Sequence, residues 1–216
     1  SCDNSTGAFA IDVNEPSAAN QVIAVYLDTG GGDQGVLYTK NNDTSSNISG
    51  LALTKNRIRI ESESSESINN ANINVYDKTD DPDIPAASDG TNMDADAGTE
   101  IHINTDDTYA PGGNVNIDNV HIDGTYSGST ETLELEGSGT GDCTTEPGTI
   151  RPLCIDAGSF TDPTNTNFTG TSASTIQATT YTNLGVGTDS DASAVTYTLG
   201  GNTTVDTAVT IGNAGS

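Results

Sequence analysis

A chain of 216 residues with no tryptophan, one methionine and three phenylalanines has few large side chains for a core. Any core must therefore consist mainly of Val, Ile, Leu, Ala and Tyr. Basic residues are also scarce: six stand against 31 acidic ones, which gives a formal net charge of −25. Nucleic acid and anionic membrane surfaces bind through clusters of Lys and Arg, so this charge balance excludes both as expected partners.

Long apolar runs and helical periodicity are absent as well. No stretch is long and apolar enough to insert into a membrane, and only SESSESINN could support a helical turn. A helical pilin needs an apolar N-terminal helix for assembly, and the sequence shows none. Because the chain begins Ser-Cys without Met, we interpret it as the processed form of an exported precursor, located outside the cell or on its surface.

The apolar residues that are present follow strand patterns. ETLELEG, AVTYTLGG and TAVTIG alternate apolar and polar residues, and turn-forming residues separate such segments at short intervals. This patterning argues against disorder, which low hydrophobicity and high net charge would otherwise suggest. The sequence predicts a single all-β domain over residues 1–216, an antiparallel β-sandwich of jelly-roll type. The acidic segment 79–100 lacks a strand pattern and is expected to be a long loop or a boundary between sub-layers.

The alternation changes phase inside three segments, of which STIQATTYTNLGV is one. Val115 and Ile117 occupy odd positions, whereas Val120 and Ile122 occupy even ones, with an Asp-Asn pair between them. A second change occurs at the Lys-Asn pair in LALTKNRIRI. Since an unbroken strand alternates with period two, the chain must form either a β-bulge or a corner at these points.

NISGLALTKNRIRI and NVNIDNVHIDG resemble the rungs of right-handed parallel β-helix proteins, a family that includes pectate lyases and phage tailspikes. The resemblance implies a solenoid in which an Asn turns the chain between two sides of a rung. This fold is the alternative to the sandwich, because the strand starts near 51, 72, 101, 115, 132, 153, 175 and 195 lack the constant period of a regular solenoid.

Cys143 and Cys154 bracket TTEPGTIRPL, a loop that contains Pro and Gly. We predict a disulfide that closes this loop and contributes on the order of 2–3 kcal/mol, with two free thiols as the alternative. Neither cysteine has a CxxC partner or a nearby His, which argues against a metal site. Cys2 could be free, or bonded to another subunit or elsewhere in the chain.

An acidic stretch is the candidate calcium site. Asn92, Asp94 and Asp96 alternate in NMDADAG as at the start of an EF-hand loop, but Ala97 stands where the turn glycine is required. A looser calcium site would use Asp89, Asn92, Asp94 and Asp96, with a solvated acidic loop as the preferred interpretation. Calcium is the one cofactor that the sequence suggests.

The two histidines, His102 and His121, each lie between apolar residues and are therefore expected on the face opposite to the core. If their strands were neighbours, the imidazoles could meet beside Asp118 or Asp123 and bind a transition metal or respond to pH. With one His per strand and no third ligand at a diagnostic spacing, two exposed polar residues are the preferred interpretation.

Five sequons mark possible N-glycosylation sites. A chain so rich in Asn, Ser and Thr would contain about this number by chance. Asn42 and Asn47 lie in a polar loop and are the most credible acceptors, and the others are Asn4, Asn167 and Asn202.

No catalytic site is identifiable, so the protein is not expected to be an enzyme. Carboxylate pairs carry little information in a chain with 31 acidic residues, and aromatic platforms for sugars are sparse. We therefore predict a secreted or cell-surface structural protein that assembles with copies of itself into a pilus-like filament or a surface layer, by strand exchange between subunits. The alternative is a carbohydrate-binding or carbohydrate-active module that contacts surface glycans.

The candidate donor strand for such exchange is Ala8–Val13, which places Phe9, Ile11 and Val13 on one face. The C-terminal strand Thr204–Ile211 is the second candidate. Either strand could instead pair within its own subunit.

Overall fold

The computed structural model describes residues 8–11, 16–30, 33–64, 66–141, 143, 151–187 and 196–211. These residues form eighteen strands and one short helix: β1 Val22–Tyr26, β2 Val36–Lys40, β3 Arg57–Ile60, α1 Asn70–Ile73, β4 Ala86–Ser88, β5 Met93–Ala95, β6 Glu100–Ile103, β7 Thr108–Tyr109, β8 Val115–Ile117, β9 Asn119–Ile122, β10 Thr125–Ser127, β11 Thr132–Leu135, β12 Leu153–Ile155, β13 Ser159–Thr161, β14 Asn165–Phe168, β15 Ser174–Ile176, β16 Thr180–Val186, β17 Tyr197–Leu199 and β18 Thr204–Ile211. This part of the chain contains no helix that is long and apolar enough to cross a membrane.

The strands form four sheets. Sheet 1 has the order β1-β2-β3-β6-β9-β12, and sheet 2 has the order β13-β10-β7. Sheet 3 has the order β18-β16-β14-β11-β8-β5-β4, and sheet 4 consists of β15 and β17. From β5 onward, consecutive strands belong to different sheets, and strands that lie side by side come from successive passes of the chain.

Three successive coils show this arrangement most clearly. The strands β6, β7 and β8 lie in sheets 1, 2 and 3, and the next two triplets, β9 to β11 and β12 to β14, repeat that path. Each strand of a coil pairs in parallel with its equivalents in the neighbouring coils. The strand order is that of a parallel β-helix.

The predicted antiparallel sandwich is therefore wrong. Among the pairs of described strands, only β1 with β2 and β4 with β5 are antiparallel. The alternation in ETLELEG misled the prediction, because a parallel strand with one face on the solenoid core alternates in the same way. Uneven spacing also misled it: β6, β9 and β12 begin at residues 100, 119 and 153, since the loops between coils differ in length.

The phase change at Asp118-Asn119 is a corner of the solenoid. Strand β8 ends at Ile117 in sheet 3, and β9 begins at Asn119 in sheet 1, so the chain changes direction between them. The apolar side chains on both sides of the corner point inward, with Ile117 and Val120 each at most 1% exposed. At the second phase change, Asn56 adopts a left-handed conformation with φ of 58° immediately before β3.

The core consists of columns of aliphatic side chains that run through successive coils. In sheet 1, one column contains Ile58, Ile101, Val120 and Leu153, which are paired in register and fully buried. Each such residue contributes about 1.5–3 kcal/mol of hydrophobic stabilisation. A column of this kind gives every coil the same apolar surface to pack on, which compensates for the lack of large side chains.

An aromatic column in sheet 2 completes the core. The rings of Tyr109 and Tyr126 have centroids 5.8 Å apart in an edge-to-face arrangement, and Phe160 lies 5.4 Å from Tyr126. Edge-to-face pairs add about 0.5–1.5 kcal/mol beyond the burial of their area. Three of the ten aromatic residues of the sequence therefore form one column on this side of the solenoid.

Antiparallel strands and a helical turn lie at the N-terminal end of the described solenoid. Strand β1 covers the edge of β2 in sheet 1, and β4 covers the edge of β5 in sheet 3. Helix α1 begins at the last residue of SESSESINN. Asn69 caps it by accepting the amide of Asn72, whose side chain accepts the amide of Asn69 in return. The acidic segment 79–100 thus contains the β4–β5 hairpin.

Glycines at the corners allow adjacent coils to approach closely. A Cβ atom at Gly124 would clash with the carbonyl oxygens of Asn104 and Asp107, and one at Gly158 would clash with the carbonyl oxygen of Gly124 itself. The close approach of backbone to backbone, rather than a positive φ, is what requires glycine here.

We expect Gly124→Ala to destabilise the fold by about 1–3 kcal/mol, because its methyl group would push two coils apart at the corner. The shift in the urea denaturation midpoint at constant slope measures this. Thr161→Ala, at an exposed position of the adjacent coil, is the control and should stay within about 0.5 kcal/mol of the wild type. Equal stability of the two variants would contradict the close-packed corner.

Candidate functional site

The outer face of sheet 1 carries a row of polar side chains that the sequence scatters over almost a hundred residues. Strand register places Arg59 beside His102, His102 beside His121, and His121 beside Cys154. Their apolar neighbours in the strands point into the core, so alternation directs the row outward. Although the row points outward, it is not exposed to solvent: all its members except Arg59 are buried, and so is Arg57, two residues before Arg59 in β3.

The two histidines are stacked on each other. Their ring centroids are 4.7 Å apart and the ring planes differ by 4°. The condition that their strands are neighbours is met, because β6 pairs with β9 in register. The preferred interpretation of two exposed polar residues is wrong, since His102 is 5% and His121 is 2% exposed.

Asp123 joins the two imidazoles at the corner where β9 ends. One carboxylate oxygen of Asp123 lies 2.9 Å from Nε2 of His102, and the other lies 3.4 Å from Nε2 of His121. Asp118, the other carboxylate suggested by the sequence, instead accepts the backbone amide of Gly98 at 2.6 Å.

Two arginines fix the tautomer of His102. The Nη1 atoms of Arg57 and Arg59 lie 3.5 and 3.4 Å from Nδ1 of His102. A guanidinium group only donates, so Nδ1 accepts and the proton lies on Nε2, from which it is donated to Asp123. The arginines are themselves paired: Nε of Arg57 lies 2.8 Å from Glu100, and Nε of Arg59 lies 3.5 Å from Glu61.

Two overlapping groups in this row have the composition of metal-ligand sets. Glu100, His102 and His121 form one group, and His121, Asp123 and Asp156 form the other. Within each group, one ligand atom from each residue lies within 4.8 Å of the other two. Asp156 follows Ile155 in β12 as Asp123 follows Ile122 in β9, so the stacking of coils brings the two carboxylates to the same corner.

Sequence reasoning missed the arginines, Glu100 and Asp156 as members of this cluster. A usable signal was present: Arg59, His102 and His121 each immediately precede an isoleucine that lies in the same column of the core. Aligning the segments on these isoleucines would have produced the row.

The predicted disulfide between Cys143 and Cys154 is confirmed, with Cα atoms 5.2 Å apart. Cys154 is the last member of the buried row on sheet 1, so the crosslink holds residue 143 against that face. Cys2 lies outside the described residues.

Of the four calcium candidates, Asp89 and Asn92 are hydrogen-bonded to each other, and the other two lie in separate contacts. Asp89 accepts the amides of Asn92 and Thr91, which hold the pKa of its carboxyl below the usual range. Asp94 is exposed on β5, whereas Asp96 pairs with Lys78 and also accepts from Gln34. Asn92 has its own partner, since its side-chain oxygen accepts the amide of Asn114. Neither of the ligand sets found among the described residues contains any of the four.

The glycosylation candidates differ in exposure. Asn42, Asn47 and Asn202 are exposed, whereas Asn167 is half-buried within β14. Asn4 lies outside the described residues.

The outer face of sheet 3 contains a groove of about 590 Å³, with Asp94, Asn116 and Glu134 in its lining. The carbohydrate-binding alternative requires aromatic platforms beside paired carboxylates. The described lining of this groove contains no aromatic side chain, and the groove therefore gives that alternative no specific support.

Two apolar surfaces lie at opposite ends of the coil order. In the last coil, Leu199 of β17 is 56% exposed and Val209 of β18 is 54% exposed. Near β1, a groove of about 670 Å³ is lined largely by apolar side chains, among them Phe9, Ile11, Ile23, Val25 and Leu51. Ile11 is 59% exposed and Phe9 is half-buried, and the remaining donor-strand residue, Val13, lies outside the described residues.

Asp107 lies at the corner between β6 and β7, beside the arginine-bearing strand. Burial raises the pKa of its carboxyl to about 6, and the charges of Glu61 and Asp106 act in the same direction. The amide of Ser62, which donates to Asp107 at 2.8 Å, and the charge of Arg59 oppose this shift.

We expect Asp107→Asn to stabilise the fold at pH 7.5 by on the order of 1 kcal/mol, after allowance for solvent screening. The pKa of about 6 in the folded state exceeds the unfolded value of about 3.9, so the folded state binds the proton more tightly. Ionised Asp107 therefore destabilises the fold above pH 6, and this penalty disappears as the pH falls towards about 4. Asn keeps an oxygen that can accept from Ser62.

Urea denaturation between pH 4 and pH 7.5 measures the difference from the wild type. Asp94→Asn, which removes an exposed carboxylate, is the matched control and should show no such pH-dependent gain. A constant difference between Asp107→Asn and the wild type over this pH range would contradict the prediction.

Comparison with protein-family models, with curated proteins and with solved structures yields no match to this chain. The geometry of the chain itself must therefore support any proposal about its function.

Proposed function

We propose that the protein is an extracellular structural protein that assembles with copies of itself end to end. The exposed apolar side chains of the last described coil are the observation that carries this proposal. Solenoid proteins need a polar cap on the terminal repeat to remain soluble as single units. The described part of the last coil exposes side chains that belong to the core.

The exposed side chains of the last coil continue the columns of the interior. Val209 pairs in register with Leu184, which is 4% exposed, and Leu199 pairs with Ile176, which is 2% exposed. Both therefore point inward but have no further described coil to pack on. Strand β18 is eight residues long and, among the described strands, pairs only with β16. Its free edge can add a strand from another chain.

The occupant that fits this end is the apolar groove beside β1 of a second copy. Ile11 and Phe9, chosen from the sequence as strand-exchange residues, then belong to the receiving surface. Such a contact joins two different surfaces and repeats without closing, which produces a filament. A contact between two open ends would instead produce a closed two-fold dimer.

Charge and crosslinking are consistent with an extracellular location. The disulfide requires an oxidising compartment in most organisms. The net charge of −25 opposes association at low ionic strength, and salt screens this repulsion. Assembly should therefore be strongest at high ionic strength.

We expect Val209→Lys and Ile11→Lys each to keep the protein monomeric, because each buries a charge in one of the two contact surfaces. A lysine also reduces the negative charge, so added repulsion between chains cannot explain the loss. Sedimentation velocity and negative-stain imaging at high salt measure the distribution of sizes. Thr161→Lys is the control, since Thr161 is exposed on β13, in a middle coil, and lies on neither surface.

Mixing the two blocked variants identifies the pairing. Each variant retains one intact surface, so the mixture should form a one-to-one dimer although each variant alone is monomeric. Dimers of Ile11→Lys alone would instead show contact between two open ends. A wild-type protein that stays monomeric at high concentration and high salt would exclude self-assembly.

A further inference from the structure

We propose that His121, Asp123 and Asp156 bind one divalent transition-metal ion, with His102 as an outer-shell residue that orients Asp123. The site lies at the corner between sheets 1 and 2 and goes beyond the assembly proposed above. It combines one imidazole and two carboxylates from successive coils. The ion class is that of Zn²⁺, which binds nitrogen and oxygen ligands of this type.

The distances suit a common ion. Nε2 of His121 and a carboxylate oxygen of Asp123 are 3.4 Å apart, and a ligand atom of each of the three residues lies within 4.8 Å of the other two. Two ligands of a tetrahedral Zn²⁺ at 2.0–2.1 Å from the ion are about 3.4 Å apart. His121 and Asp123 therefore already have the spacing of neighbouring ligands, and the exposed side chain of Asp156 can complete the set.

His102 cannot be a ligand through Nε2, because that nitrogen carries a proton, but it can orient the ligand Asp123 by donating that proton in a hydrogen bond. Nδ1 of His102 faces two guanidinium groups, so its proton lies on Nε2, which donates to the second oxygen of Asp123 at 2.9 Å. A hydrogen bond to the outer oxygen of a ligating carboxylate fixes its orientation. The stacked ring of His102 also restricts the position of His121.

The local charges match a divalent ion. Arg57 pairs with Glu100 and Arg59 with Glu61, so these four charges balance. Asp123 and Asp156 remain, with a summed charge of −2 beside the neutral His102. A divalent cation compensates that charge at the point where the two carboxylates meet.

The ligand set separates this site from non-specific cation binding. Calcium and magnesium prefer sites built only from oxygen atoms, whereas an imidazole ligand favours zinc, copper, iron or nickel. The acidic surface of the chain attracts all cations, but surface carboxylates alone do not favour zinc over calcium or magnesium. The side chains of Asp123, which is 24% exposed, and of Asp156 provide access from solvent.

Equilibrium dialysis of the full chain against Zn²⁺ in excess Ca²⁺ tests the proposal. The wild type should bind one Zn²⁺ per chain. His121→Gln and Asp156→Asn should each weaken binding by more than about 100-fold, because loss of an outer-shell partner alone costs about 10- to 100-fold. Asp156 is exposed, so Asp156→Asn keeps the test valid if the change at the buried His121 prevents folding.

Two further variants test the role of His102 and the specificity of the site. His102→Ala should weaken Zn²⁺ binding about 10- to 100-fold. His102→Gln should restore most of it, because the glutamine amide can also donate to Asp123. Asp94→Asn, an exposed carboxylate outside the cluster, should leave binding unchanged. Retention of the ion by Asp156→Asn, equal loss in Asp94→Asn, or no binding by the wild type would each overturn the proposal.

Discussion

The register between successive coils is the constraint on which the other features of this molecule depend. Ile58, Ile101, Val120 and Leu153 occupy one column of the core, although the chain makes a full circuit between one and the next. A shift of one residue in any coil would turn its isoleucines outward and its polar residues inward. The same register therefore builds both faces of sheet 1: the column inside and the arginine–histidine–cysteine row outside. The glycine corners allow the backbones to approach as closely as that register requires.

Part of this architecture could be predicted from the sequence. The strand content, the corner or bulge at Asp118-Asn119 and the Cys143–Cys154 disulfide each have a local signal, which is phase in the first two cases and spacing in the third. The direction of pairing has no such signal. Leu133 and Leu135 alternate with polar residues in β11, and this alternation fits an antiparallel neighbour as well as the parallel β8 and β14. The choice between the two folds depends on contacts between distant coils.

The candidate site shows the same division. Alternation correctly predicts that both histidines lie on the face opposite to the core. The sequence also indicates that the imidazoles could meet beside Asp118 or Asp123 if their strands were neighbours. Their burial was not predicted, because it depends on what packs over the outside of sheet 1 rather than on the strand itself. Asp156 was not foreseen, since its nearness to Asp123 exists only after β12 is stacked on β9. Local chemistry indicates which residue types can act together, and the tertiary register decides which of them meet.

The difference between the two ends of the solenoid has a consequence for how the chain comes apart. In a stack of repeats each coil is stabilised mainly by its nearest neighbours, so the cost of opening is lowest where a coil has a neighbour on one side only. The antiparallel strands β1 and β4 cover the edges of β2 and β5 at one end, whereas β17 and β18 in the last described coil leave Leu199 and Val209 exposed. Among the described strands, we therefore expect local opening to begin at β17 and β18 and to move towards β16 and β15. Unfolding of the described solenoid should therefore proceed from one end. Amide protons of β17 and β18 should exchange with solvent before those of the strands that carry the isoleucine column.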